Sequence, residues 1–192
     1  MKDINNLSSK NTTSLESFVN KFSTTKKIPP VEQWEPDFCG DMDMVIKRDG
    51  SWIYMGTPIL RKELVQLFAT VLRKDEDGKT YLVTPVEKIG ITVEDAPFLA
   101  VEMENQGTGK DQVLTFRTNT NDVITASNQN PLRFEIDPEN QGLKPYLLVR
   151  GRLEALLTRA ITYELLELGT FIARNDRNYF TIYSSCTCWE VV

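Results

Sequence analysis

The sequence predicts an α+β protein of two related lobes, each a mostly antiparallel β-sheet packed with an amphipathic helix, preceded by a short N-terminal helix. Three observations carry this. Apolar residues alternate with polar ones over many short runs separated by Asp-Gly and Gly-rich turns, the pattern of half-buried strands. Two segments instead repeat apolar residues at three and four, the helical period. Those two segments also open alike, Ile59-Leu60-Arg61-Lys62-Glu63-Leu64 and Leu148-Val149-Arg150-Gly151-Arg152-Leu153. Aligning Arg61 with Arg150 overlays the openings, but the downstream strands at Tyr81 and Tyr179 then match only with an insertion.

Residues 1–13 are rich in Asn, Ser, Thr and Lys and read as a loose tail. Ser14 is suited to cap a helix whose Leu15, Phe18, Val19 and Phe22 share one face, and Pro29-Pro30 ends it. Trp34 and Phe38 then anchor an irregular connection, giving a segment of 14–43 before a first lobe of 44–104 and a second of 105–192. Asp49-Gly50 marks a hairpin between Val45-Ile46-Lys47 and Trp52-Ile53-Tyr54. Thr57-Pro58 offers a cap and first helical residue, with the start allowed to fall two or three residues later. The apolar face that follows is Leu60, Leu64, Leu67, Phe68, Val71 and Leu72. Strands are expected at Tyr81–Val86, Ile89–Val93, Phe98–Met103, Leu114–Phe116, Val123–Ala126, Leu132–Ile136 and Tyr146–Val149. The second helix carries Leu153, Leu156, Leu157, Ala160, Ile161, Leu165 and Leu168 and stops at Gly169, before a last strand over Asn178–Ser185.

A chain of 192 residues, 41% hydrophobic and 26% charged, has the composition of a folded globular protein. At this length roughly 70% of the unfolded chain's surface can be buried without disulfides. With 22 basic against 27 acidic residues and a net charge of −5, the protein is not expected to bind nucleic acid, because no basic surplus or stripe faces phosphate. No apolar run approaches the length of a membrane span and no signal-peptide pattern opens the chain, so the expectation is a cytoplasmic protein without membrane contact. The three cysteines, Cys39, Cys186 and Cys188, form no Cys-x-x-Cys pair and read as reduced, buried, inert thiols. Histidine is absent, which removes His-dependent triads, His general bases and most catalytic zinc sites. No signature for a metal or an organic cofactor is present, and none is expected.

Two motifs fail on inspection. Gly107-Thr108-Gly109-Lys110 lies between strands and has Glu104 and Asp111 where a phosphate loop needs glycine and a hydroxyl. Asp41-Met42-Asp43 lacks the later ligands and central glycine of a calcium loop. The candidate ligand-binding residues are instead Thr84, Glu87 and Lys88 around Pro85, Glu94 and Asp95 before Pro97, and the cations Arg61, Arg150 and Arg152. Arg117 joins them where its strand closes on the same cleft. Cations in the first turn of a helix oppose the helix dipole unless an anion offsets them, so arginines at two helix openings point either to internal acids or to an anionic ligand. Adjacent Glu94 and Asp95 face opposite ways in extended chain and do not by themselves form an acid–base pair.

Asp49-Gly50-Ser51-Trp52-Ile53-Tyr54-Met55-Gly56-Thr57-Pro58-Ile59-Leu60-Arg61, Leu82-Val83-Thr84-Pro85-Val86-Glu87-Lys88 and Val93-Glu94-Asp95-Ala96-Pro97-Phe98 together resemble the bacterial family of unknown function DUF1285. Pro145-Tyr146-Leu147-Leu148-Val149-Arg150 and Leu153-Glu154-Ala155-Leu156 resemble its second half. The resemblance runs from about Trp34 onward, and the segment from Phe171 departs from the family's glycine- and aromatic-rich ending. It implies two related α+β lobes and a role in signal transduction or ligand sensing, with no established catalytic residues. The expected function is therefore a non-enzymatic module that binds a small anionic ligand or a partner protein between its lobes. The alternative is a carboxylate-dependent hydrolase or transferase using Glu87 or Glu94. The oligomeric state is open.

Overall fold

In a computed structural model, residues 28–174 and 177–191 are described; the expected tail and N-terminal helix lie outside them. The chain divides into two compact units, one of residues up to Val45 together with Trp52–Thr92, the other of Ile46–Ser51 with Val93–Val192.

The first unit holds a six-stranded sheet built from β1 (Phe38–Ile46), β2 (Trp52–Tyr54), β3 (Thr57–Pro58), β4 (Leu72–Lys74), β5 (Thr80–Val83) and β6 (Lys88–Val93), in spatial order β3-β2-β1-β6-β5-β4. The Asp49-Gly50 hairpin forms as expected, with Lys47 N–H donating to the Ser51 carbonyl at 2.9 Å. Phe38 opens β1 and so belongs to the sheet, not to an irregular connection. Thr57-Pro58 forms a short strand, and helix α1 (Lys62–Thr70) starts after Arg61. Leu60, expected on its apolar face, precedes the helix and is exposed, while Phe68 packs in parallel on the buried Trp52 at 6.3 Å between ring centres. The Tyr81 strand ends at Val83, because Thr84 turns the chain: its Oγ1 accepts hydrogen bonds from the N–H groups of Val86 and Glu87.

The second unit repeats this plan. Its strands β7 (Phe98–Gln106), β8 (Val113–Thr118), β9 (Val123–Thr125), β10 (Leu132–Ile136), β11 (Leu143–Arg150) and β12 (Leu153–Leu157) lie in the order β10-β11-β12-β7-β8-β9. Read from the opposite edge, that is the order of the first sheet. In both, two antiparallel three-strand meanders meet at a central pair made of the first and sixth strands. That pair is parallel: Ala155 to Leu157 run alongside Phe98 to Ala100. In the first sheet Lys88 N–H reaches the Asp37 carbonyl at one end and Glu94 N–H reaches Ile46 at the other, the same sense. Phe98, expected in the first lobe, therefore pairs within the second sheet.

The segment expected as one helix over Leu153–Leu168 is two elements. Leu153–Leu157 is β12, with Leu153, Ala155 and Leu157 buried at a period of two, and only Arg159–Glu167 is helical (α2). Arg150 and Arg152 therefore flank the β11–β12 turn, where Gly151 takes φ 51°, and do not open a helix. The resemblance between the two arginine-led openings does not follow the structural repeat: Arg61 leads from the third strand of its sheet toward the fourth, Arg150 closes the fifth. Gly169 ends α2 by allowing close approach, since a Cβ there would lie 2.1 Å from the Phe180 ring.

Strands β13 (Thr170–Arg174), β14 (Arg177–Ser184) and β15 (Thr187–Glu190) make a third, antiparallel sheet within the second unit. Ser184 Oγ donates to the Ala126 carbonyl at 2.7 Å and accepts from Leu114 N–H at 2.9 Å, and Gln112 Nε2 donates to the Tyr183 carbonyl at 2.6 Å, tying this sheet to the neighbourhood of β8 and β9. All three thiols are free and exposed rather than buried. Cys186 occupies the β14–β15 turn at φ 61° instead of a strand. Among the described residues, no helix is long and apolar enough to cross a membrane.

Candidate functional site

A concavity of about 680 Å³ lies wholly within the second unit. One wall is a stripe of α2. Arg159, Thr162, Tyr163 and Leu166 recur at i, i+3, i+4 and i+7 and face the cavity, while Ile161 and Leu165 bury in the core. Leu156 and Leu157 at the end of β12 contribute apolar surface, as does Leu143 at the start of β11. The β10–β11 turn adds Asp137 and Asn140; it closes through Asp137 N–H to the Gly142 carbonyl at 2.8 Å and Gln141 N–H to the Asp137 carbonyl at 2.8 Å. Arg48 enters from the β1–β2 turn.

Two residues singled out in the sequence arrange this rim. Glu94 and Asp95, at a bend just past β6, diverge. Glu94 accepts from Lys47 Nζ at 2.7 Å and from Arg48 N–H at 3.1 Å, fixing the backbone that carries the Arg48 side chain. The Lys47 hydrogen bond and then the Arg48 N–H hold its carboxyl below the usual carboxylate range. Asp95 turns the other way and takes the Lys144 ammonium and, at 2.8 Å, the Tyr146 hydroxyl. Burial would lower the Lys144 pKa, but the hydrogen bonds with Asp95 and Tyr146 and the charge of Asp95 prevail and raise it, so the ammonium stays charged. Burial pushes the Tyr146 phenol up, so it remains a neutral donor.

The other candidates do not join them. Thr84, Glu87 and Lys88 lie at the β5–β6 turn of the first unit, where Lys88 donates to Asp75 at 3.1 Å and sits 4.7 Å from the Tyr81 ring centre. Glu87 is half-buried, and its Oε2 has no hydrogen-bond partner. Arg61 is 79% exposed and its Nε stands 4.0 Å from Glu63, a loose contact of little energetic weight. In the second unit Arg117 grips Glu102 with two nitrogens and reaches Asn121 at 2.9 Å; Arg150 meets Asp122 at 3.4 Å and lies over the Phe98 ring. Arg152 is exposed at the turn. Arg117 and Arg150 thus flank the β8–β9 turn and carry internal acids. Among the described residues no group of three or more acidic or cysteine side chains is placed to hold a metal ion.

Arg48, Lys144, Arg159 and Tyr163 were not among the sequence candidates. Arg48 precedes a turn signal and Lys144 precedes the strand expected at Tyr146–Val149, positions where a cation is ordinary. Arg159 and Tyr163 fell on the polar side of an overlong helix, and only recognising Gly151 as a hairpin turn exposes their true phase.

The fold and site define an α+β protein of duplicated six-stranded sheets, the second unit carrying a cavity lined by leucines and by charges of both signs. The chain belongs to the DUF1285 family: the model described as the N-terminal domain of unknown function matches residues 29–96, and that described as the C-terminal domain matches residues 97–191. The match extends through the segment from Phe171 onward, which therefore lies within the family's C-terminal domain. A crystal structure of a DUF1285 protein from Silicibacter pomeroyi DSS-3 is similar with TM-score 0.82 and 43% identity, covering 90% of this chain and 93% of that one. One from Shewanella baltica OS155 is similar with TM-score 0.51 and 27% identity over 65% of this chain and 90% of that one. No curated protein matches the chain.

Proposed function

We propose that the protein is a binding module without chemistry of its own, and that its second unit takes a small anionic ligand into the cavity beside α2. The observation that carries this reading is the composition of the wall: Arg48, Lys144 and Arg159 stand around an apolar floor of leucines. Few polar groups converging on apolar surface is the usual make-up of a small-molecule site. A sensing role follows naturally from binding without turnover. A carboxylate-driven hydrolase would need two acids facing one reacting atom, one of them protonated. Here Asp95 is held by Lys144 and Tyr146, Asp137 accepts from Glu139 N–H at 2.9 Å, and Glu94 is paired with Lys47.

Thermal-shift screening of carboxylated and phosphorylated metabolites tests the reading. A compound held at a hundred times its dissociation constant adds about 2.7 kcal/mol and shifts Tm by several degrees. The expected result is such a shift in the parent and none in Leu156→Trp, where the indole fills the cavity from a half-buried position. No shift with any anion, or equal shifts in both proteins, overturns it.

A further inference from the structure

The cations of the cavity are not equivalent. Lys144 is neutralised by Asp95, and Arg48 faces Glu139 at 4.0 Å while Asp137 adds a further negative charge to the same wall. Arg159 differs: among the described residues it makes no ion pair, and its Nε and Nη2 both donate to one neutral oxygen, the Tyr163 hydroxyl, at 3.3 and 3.1 Å. No acid lies in the first turn of α2, and no side chain caps it. Of the three cations Lys144 and Arg48 thus each face an acid, and Arg159, which faces none among the described residues, shares the cavity lining with Leu156, Leu157 and Leu166.

Resting on the binding reading above, we infer that the ligand is a monoanionic carboxylate with an apolar body, its head held by Arg159 and Tyr163. The Nε and Nη2 edge of a guanidinium matches the two oxygens of a carboxylate side-on. Tyr163 now takes both of those donors with a single oxygen, and its phenol proton is free to point at an incoming anion. The leucines take the body. A dianion or a polyphosphate meets Asp95 and Asp137 with nothing left to balance its second charge, and a neutral alcohol leaves the guanidinium without its partner. Arg159 and Tyr163 are thus the specificity-determining residues, and Lys144 with Asp95 is a fixed internal pair that shapes the wall.

The test uses the full chain with leucine methyls labelled for NMR and four probes: octanoate, octanol, suberate and inorganic phosphate. Octanoate is expected to shift the methyls of Leu143, Leu156, Leu157 and Leu166 saturably, and to bind roughly tenfold or more weakly to Arg159→Gln, the size of effect that losing a charge-assisted pair produces. Arg159→Lys keeps the charge without the fork and is expected to fall between. Arg159 is exposed, so these variants retain the parent spectrum away from the cavity. If octanol, suberate or phosphate shifts those methyls as strongly as octanoate, or if Arg159→Gln binds octanoate like the parent, the inference fails while the cavity remains a binding site. If no probe shifts them, both readings fail.

Discussion

At the scale of single residues, the strongest polar cluster is structural. Arg73 is 6% exposed, yet each nitrogen of its guanidinium has a partner: Nε and Nη2 meet Asp75 at 2.6 and 3.3 Å, and Nη1 reaches the carbonyls of Val31 at 3.0 Å and Trp34 at 2.6 Å. Lysine cannot reproduce that fork. Asp75 also takes Lys88, and although its burial tends to raise its pKa, the hydrogen bonds from Arg73 and Lys88 prevail and lower it from 3.8. The sign follows. A carboxyl whose folded pKa lies below its unfolded value of about 3.9 stabilises the fold fully above that value, and the stabilisation is lost as pH falls through the folded pKa. Asp75→Asn strands a buried guanidinium and is expected to cost about 2–4 kcal/mol at neutral pH. Its deficit relative to the parent should shrink as pH falls below about 4. Urea unfolding at pH 7 and pH 3 checks both parts; an equal deficit at the two pH values contradicts the assignment.

At the scale of elements, the third sheet hangs on few polar ties. Ser184 is fully buried and serves both as donor to Ala126 and as acceptor for Leu114 N–H. Ser184→Ala leaves a buried N–H and a buried carbonyl without that partner, at about 1–3 kcal/mol. Amide exchange should quicken in β13 to β15 and around Leu114 while Leu82 and Ile89 of the first sheet keep their protection; uniform loss would mean the tie is not local. This is also the scale at which the sequence was most and least readable. Hairpins such as Asp49-Gly50 and alternations such as Leu132, Phe134 and Ile136 are local signals, and those elements formed where expected. In β12 the run Leu-Glu-Ala-Leu-Leu favours helix by propensity, and its pairing with β11 and β7 overrides that preference. The same limit applies to the cavity. Glu94 and Asp95 were visible as an acidic break between strands, but the cations they arrange come from turns and a helix that only folding brings together.

At the scale of the whole molecule, the shared strand order makes one step of folding unlike the others. Each sheet consists of two meanders that close through short turns, and a parallel central pair that joins its first strand to its sixth. In the second sheet that pair brings Ala155 against Phe98, across about half of the unit's length, so its loop closure costs about 2 kcal/mol more than that of a hairpin. Contacts of that kind form late, after the meanders supply a template. Ala155 is fully buried at this junction, so Ala155→Gly removes a packed methyl and loosens a strand for about 1–2 kcal/mol. If the central pair forms after the transition state, that loss appears almost wholly as faster unfolding, with the folding rate little changed. Phe116→Leu, inside the β7–β8–β9 meander where Phe116 faces Met103 and Ile124, should instead slow folding. Stopped-flow chevrons on the two variants decide it: a slowed folding limb for Ala155→Gly with an unchanged one for Phe116→Leu would show that the parallel pair nucleates the sheet and the meanders follow.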